Sequence, residues 1–397
     1  MDAIGIVCEY NPFHQGHLYH IRESKRLFGT DAVIVCAMSG DFVQRGEAAF
    51  FSKLARAEAA CRAGADLVFE LPLPWCLSSA DIFAEGAVSM LSAAGCAALS
   101  FGCECDDQDL LRTVAEQDLL LESTEAITQL LKQNPKLSYA QARQRLLEDR
   151  LKESVGILAM PNNILAVAYW KAILRNRFSM RPLAVKREGS NHDTPSEGLI
   201  RSAMQLRSML EAGEEITPYI PEEAARVLQR EYAAGRVYNR ERMELLLLSR
   251  LYRLEAADFE SLPDAGHGAG QRLYKALLEN RGTAQSVQAA ATKRYTAARM
   301  RRIVLSAALD IRADDAAGRP PYMRLLAANQ KGRSYLHSLG ETAIPIVTKP
   351  ADVKKLSLRA AELFAQGAKA HDVYTLQFVT NDDILWGEDW KSGPVIV

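Results

Sequence analysis

The sequence predicts an α/β fold: a parallel sheet built from the first half of the chain, followed by a mainly α-helical second half. Three observations predict it. Short apolar runs with β-branched residues alternate with amphipathic segments as far as about residue 189, the pattern of right-handed βαβ units and a parallel sheet. From about residue 196 the alternation gives way to apolar residues at helical spacing. The 397 residues are 48% hydrophobic and 24% charged, ordinary globular composition at a length that suits two or three domains.

The elements follow in order. AIGIVCEY (3–10) reads as a buried strand, and an amphipathic helix fits 16–28. DAVIVCAMSG (31–40) is a second strand. KLARAEAACRAG (53–64) is a helix stopped by Gly64. ADLVFELPLP (65–74) is the third strand, 80–94 a helix closed by Gly95, and CAALSFGCE (96–104) the fourth strand. A helical stretch (about 107–153) and the helix PNNILAVAYWKAILRN precede a fifth strand, RPLAVKREG (181–189). Five later segments carry helical spacing, among them SEGLIRSAMQLRSMLEAG, TKRYTAARMRRIVLSAAL and MRLLAANQKGRSYLHSL. Pro218, Pro221 and PDAGHGAG (263–270) mark loops. VYTLQFVT near the end fits a strand. The expected division is 1–195, a catalytic α/β domain, and 196–397, a mainly helical domain.

Composition excludes several classes. Formal net charge is −1, so any polyanion site must be a local patch. No apolar run approaches the roughly 20 residues of a membrane span. The start, MDAIGIVCEYNP, lacks a basic n-region, so a cytoplasmic protein without a membrane partner is expected. The seven cysteines all lie in the first 105 residues, and their odd number argues against a disulfide framework. Cys103 and Cys105 form the only close pair and lack a second pair at zinc spacing; buried thiols are expected, and no metal site.

The chemistry concentrates in EYNPFHQGHLYHIRE (9–23), which holds three of the seven histidines. His14 and His17 flank Gly16 directly after the first strand, and in open α/β sheets ligands bind beyond the carboxyl ends of strands. A helix start offers unpaired N–H groups and partial positive charge to a phosphate. A glycine there permits close approach. Two imidazoles can donate to phosphate oxygens and stabilise charge as an α-phosphoryl group is attacked. Lone histidines are more often capping or surface residues, but a pair framing a glycine at this place favours a ligand. His17 and His20 could bind zinc at i,i+3 spacing, but no matching carboxylate-bearing helix is evident. Neither a P-loop nor GxGxxG follows this strand.

The HxGH run resembles the signature of the nucleotidyltransferase superfamily. The chain more specifically resembles the bacterial tRNA(Met) cytidine acetate ligase family. The resemblance is carried by GIVCEYNPFHQGHLYH (5–20), MSGDFVQRGEAA (38–49), GADLVFELPLPW (64–75), FGCE (101–104), PNNILAVAY (161–169), TKRYTAARMRR (292–302) and LLAANQKGR (325–333). It implies a Rossmann-like nucleotidyltransferase domain. It also implies that acetate and ATP give acetyl-adenylate and pyrophosphate, and that the acetyl group passes to N4 of the wobble cytidine of elongator tRNA(Met). By the same resemblance the ATP-binding positions are Val7, Cys8, Glu9, Tyr10, Asn11, Pro12, Phe13, His14, Gln15, Gly16, His17, Leu18, Tyr19, His20, Gly102, Asn162 and Arg187; as the donors to the attacked phosphoryl group, His14 and His17 are the expected catalytic residues. ATP is a co-substrate, and Mg2+ is expected on its phosphates. Asn163 is expected to cap its helix and Asn162 to face the ligand. Gln44, Arg45 and Lys53 follow the second strand at the carboxyl edge of the sheet, where either a substrate or a solvated loop would place them. Arg201 matches a phosphate-holding arginine, although SEGLIR departs from the usual Ser/Thr-rich segment and weakens the case for Ser196.

From Asn280 to Leu309 there are six basic residues and no acidic one. Lys293, Arg294, Tyr295, Arg299, Arg301 and Arg302 are the expected tRNA contacts, with Arg294 and Arg301 on one helix face and Tyr295 placed to stack a base. A basic face answering acidic neighbours such as Glu222, Glu223 and Asp310 is the plainer alternative. Two rival functions use the same residues: a small-molecule adenylyltransferase with the same HxGH site, and a non-enzymatic RNA-binding protein with a relic nucleotide site.

Overall fold

The structure, a computed structural model, describes residues 1–122, 124–135, 137, 139–187, 200–380, 384 and 386–397. Five parallel strands form its centre: β1 (Ala3–Cys8), β2 (Val33–Ser39), β5 (Leu67–Leu71), β6 (Ala98–Cys103) and β7 (Arg181–Lys186). Two short strands, β3 (Phe42–Val43) and β4 (Glu47–Ala48), pair separately as a hairpin. The central order is β5-β2-β1-β6-β7. The chain winds one way from β1 and then returns to the other side, so β1 and β6 flank a topological switch point, where a crevice opens beyond the strand ends.

The helices alternate with these strands as expected: α1 (Gln15–Phe28), α2 (Lys53–Arg62), α3 (Leu73–Cys76), α4 (Ala80–Ala93), α5 (Gln108–Glu122), α6 (Ala126–Gln133), α7 (Tyr139–Leu151) and α8 (Pro161–Asn176). Successive strand residues face opposite sides. Val33, Val35 and Ala37 therefore pack with α4 and α8, while Ile34, Cys36 and Met38 pack with α2. The strands read as continuous apolar runs because both faces of the sheet are covered.

The second half is mostly helical: α9 (Ala203–Glu211), α10 (Glu222–Ala233), α11 (Arg240–Leu251), α12 (Ala256–Glu260), α13 (Ala269–Glu279), α14 (Gly282–Ala290), α15 (Ala297–Ala308), α16 (Gln330–Ser338) and α17 (Leu358–Thr375). A third core joins α11, α13, α14 and α15 to Phe42, Leu73 and Leu77 of the first half. The expected boundary at 195/196 and Ser196 lie outside the described residues.

Two expectations need correction. MRLLAA, expected to begin a helix, is the strand β8 (Met323–Ala328), antiparallel to β5 and wholly buried. On its other edge β8 pairs in parallel with β9 (Ile346–Val347) at one end and β10 (Val395–Ile396) at the other. Periodicity cannot separate so short a buried apolar run from a helix turn. VYTLQFVT is not a strand: Val373–Thr375 ends α17, and Tyr374 stacks edge-on against Phe378, centroids 5.7 Å apart. That i,i+4 pair marks a helical face continuing into the following turn.

A largely buried ionic cluster holds the C-terminal segment to the sheet. Lys53 Nζ contacts Asp389 at 2.6 Å and Glu70 at 3.0 Å, and His371 Nδ1 lies 2.7 Å from Asp41. Lys53, expected near the substrate, is thus taken up by internal carboxylates; its side chain is 1% exposed.

Candidate active site

The turn between β1 and α1 is shaped from within. Tyr10 takes a left-handed φ of 46°. Its buried ring packs edge-on against Phe13 and His17, centroids 4.8 Å away in both cases. His14 is the N-cap of α1. Its Nδ1 accepts from Gly16 N at 3.1 Å, and His17 Nδ1 accepts from His14 N at 3.2 Å. The two rings stack with centroids 3.7 Å apart. A Cβ on residue 16 would stand 2.9 Å from His14 Cε1, so glycine is required where the ring folds back.

These bonds fix the tautomers. Backbone N–H groups donate to both Nδ1 atoms, so each neutral ring carries its proton on Nε2. Burial, and then Arg187, lower the His14 pKa to about 3. Burial, then His14 and Arg187, hold His17 well below its ordinary value. Both rings are neutral Nε2–H donors at pH 7. Contrary to expectation, the Gly16 N–H at the start of α1 is not free: it donates to His14 Nδ1.

The turn opens on a cavity of about 270 Å3 at the β1/β6 switch point. Of the expected residues, Val7, Cys8, Glu9, Tyr10, Asn11, His14, Gly16, His17, Tyr19, His20, Gly102, Asn162, Arg187 and Arg201 line it. Pro12, Phe13, Gln15 and Leu18 are not in the lining; Phe13 is fully buried beneath the histidines. His20 Nε2 is paired with Ser100 Oγ at 2.9 Å, tying α1 to β6. Gly102 leaves bare backbone beside Arg187, whose Cγ would be 3.4 Å from an added Cβ. Asn162 Nδ2 donates to Glu104 Oε1 at 2.6 Å. Asn163 does not cap its helix: its Oδ1 accepts from the N–H groups of Glu104 and Cys105, while Glu104 Oε2 accepts from Asn163 N. The 104–105 turn and the start of α8 are thereby locked together.

Arg201 enters from the segment before α9, and its buried Nε has no hydrogen-bond partner among the described residues. Arg207, missed in the sequence, spans the opposite wall, donating to Asn11 O at 2.9 Å and Glu47 Oε2 at 3.3 Å. No local spacing marks it, because its partners lie more than 150 residues earlier. Gln44 and Arg45 also line the cavity. No cluster of three or more His, Cys, Asp or Glu side chains fit for a metal occurs among the described residues. The cysteines of that range are free, and burial pushes the Cys103 thiol up to about 12.

The basic stretch is corrected in several places. Residues 293–295 precede α15, so Arg294 and Arg301 do not share a helix face. Tyr295 is 9% exposed, lies under the guanidinium groups of Arg294 and Arg299, and donates its hydroxyl to His267 O. Arg299 donates to Asp264 O and Gly266 O, Arg301 to Arg45 O, and buried Arg302 pairs with Asp264 at 2.7 Å. The suggested acidic neighbours are not the partners: Glu222 and Glu223 pair with Arg226, and Asp310 with Arg250. Lys293 and Arg294 remain exposed.

A doubly wound sheet with a histidine–glycine–histidine turn over its switch point defines a nucleotidyltransferase. The family described as HIGH Nucleotidyl Transferase matches residues 1–384. A Thermosipho melanesiensis protein described as tRNA(Met) cytidine acetate ligase is 32% identical, with 100% of this chain and 99% of that one covered. One of the same description from Caldicellulosiruptor saccharolyticus is 35% identical over 94% of this chain and 96% of its own. The chain belongs to the tRNA(Met) cytidine acetate ligase family. Crystal structures of Thermotoga maritima TmcAL match over the full chain: an apo form at TM-score 0.94 and 29% identity, covering 100% of that chain, and one bound with alpha-thio ATP at 0.91 and 28%, covering 99%.

Proposed function

We propose that this chain is an ATP-dependent acetate ligase that acetylates N4 of the wobble cytidine of elongator tRNA(Met). The observation that carries the reading is the pair of neutral, Nδ1-anchored imidazoles lining the switch-point cavity, in a chain of this family. Adenine and ribose lie toward Gly102, Asn162 and Arg187. The triphosphate runs past His14 and His17 toward Arg201, a guanidinium in the cavity lining whose Nε has no partner among the described residues. An acetate oxygen attacks the α-phosphorus, the bond to the bridging oxygen of the β-phosphate breaks, and pyrophosphate leaves with that electron pair. The Nε2–H groups meet the charge growing on the α-phosphoryl oxygens, and positioning supplies much of the rate. The cytidine amine then attacks the acetyl carbonyl carbon. The carbon–oxygen bond to phosphate breaks, AMP leaves with the pair, and the amine proton passes to solvent. Among the described residues the lining offers Glu9 as its carboxylate and no protein cage for Mg2+, so the ion would ride on the ATP phosphates.

The test supplies purified protein with ATP, Mg2+, labelled acetate and bulk tRNA, without acetyl-CoA. Label in tRNA supports the ligase. Acetate-dependent ATP–pyrophosphate exchange with no label in RNA would move the acceptor to a small molecule.

A further inference from the structure

Beside the nucleotide cavity lies a second, wider one of about 700 Å3. The two share Met204 and Arg207 in their walls. The β3–β4 hairpin divides them: Gln44 and Arg45 face the first, Gly46 and Glu47 the second. This partition is held firmly. Gly46 has a φ of 76°, and a Cβ there would stand 2.6 Å from Arg302 N, so the hairpin tip lies directly on α15. Arg301 Nε donates to Arg45 O at 3.0 Å. Glu47 sits between two guanidinium groups, 3.3 Å from Arg207 and 3.4 Å from Arg301. The floor carries Phe50 and half-buried Tyr238, tilted rings with centroids 6.3 Å apart.

The geometry points to this second cavity as the site of the acceptor cytosine, turned out of the RNA stack, with Glu47 accepting from its exocyclic amine. The inference rests on the proposed function. Acetate has four heavy atoms and must reach the α-phosphorus in the first cavity, so it does not account for the larger one. A base that attacks an acyl-adenylate must be extruded and must arrive beside the nucleotide pocket. A carboxylate is the group that reads the N4 amine of cytosine. Glu47 presents one at the partition, already oriented by two arginines. Tyr238 supplies a ring face on which a flipped base stacks. Lys293 and Arg294 are exposed in the segment that joins α14 and α15, two helices that line this cavity, and leave cationic side chains for the backbone of the same RNA. Glu47 is a positioning residue: its carboxylate, held by two cations, fixes the amine rather than removing its proton.

The test uses the full chain with bulk tRNA and reads two steps separately, acetate-dependent ATP–pyrophosphate exchange and acetyl transfer. Ser208 is exposed on α9 and lines only the second cavity. Ser208→Trp should therefore block the base, cutting transfer about tenfold or more with exchange unchanged. Glu47→Gln keeps the shape and loses the charge; it should lower kcat for transfer about tenfold with the KM for tRNA little altered. Wild-type transfer in both variants would overturn the site while leaving the ligase intact. Loss of exchange together with transfer, at normal melting temperature, would also overturn it, because the cavity would then serve adenylation. A wild-type protein that exchanges but acetylates no RNA would sink the proposed function and this site with it.

Discussion

The β1–α1 turn and the basic stretch at 292–302 present similar sequence signals, several cationic or cationisable side chains within a few residues, and the fold treats them differently. In the turn, each imidazole gives one nitrogen to the backbone and keeps the other as a donor beside a cavity. In the basic stretch, Arg299, Arg301 and Arg302 make their bonds to carbonyls and to the carboxylates of Glu47 and Asp264 in their own chain, closing the 264–267 loop and the hairpin. Only Lys293 and Arg294 are left on the surface. The contrast teaches that a charged motif becomes a site only where the fold leaves part of its bonding capacity unused.

Substitutions in the two regions should have separable effects. The largest effect is expected from His17→Ala, which should lower acetate-dependent ATP–pyrophosphate exchange about 10²–10³-fold, the cost of losing a preorganised donor; tRNA binding by gel shift should persist. Next comes Arg302→Ala, which leaves Asp264 without its buried partner and should cost about 2 kcal/mol in urea unfolding. If Arg302→Ala instead left stability untouched and weakened tRNA binding, the internal role assigned to it would be wrong. Gly16→Ala forces the His14 ring aside and should reduce exchange about tenfold with a small change in stability. Lys293→Glu with Arg294→Glu should raise the KM for tRNA roughly fivefold and steepen nothing in the exchange assay, since these side chains meet only the polyanion.

Because burial and Arg187 push His14 down to about 3 and His17 in the same direction, both rings stay neutral through the physiological range. The kcat/KM for exchange should then show no histidine limb near pH 6.5; such a limb would mean that a cationic imidazole does the work. His371 behaves oppositely. Its burial opposes protonation, but Asp41 and Glu388 outweigh it and raise the pKa to about 10. The stability it contributes is therefore complete below the unfolded value of about 6.5 and is lost as the pH rises through about 10. His371→Gln should flatten that alkaline loss in thermal melts; an unchanged curve would place the loss elsewhere.

The sequence by itself determined the five parallel strands, their intervening helices and the histidine turn. Each is set by local pattern: apolar runs, caps and a glycine whose absent Cβ admits a folded-back ring. Tertiary structure alone decided the rest. MRLLAA became a strand because β5 had an open edge to pair with it. Lys53 was drawn into the core by Asp389, 336 residues away in sequence. Arg207 entered the site by reaching Asn11 and Glu47, and Tyr295 left the surface beneath two arginines. Periodicity reports which face of an element is apolar. It carries no record of which distant carbonyl or carboxylate will meet a given cation, and that meeting separates a binding residue from a structural one.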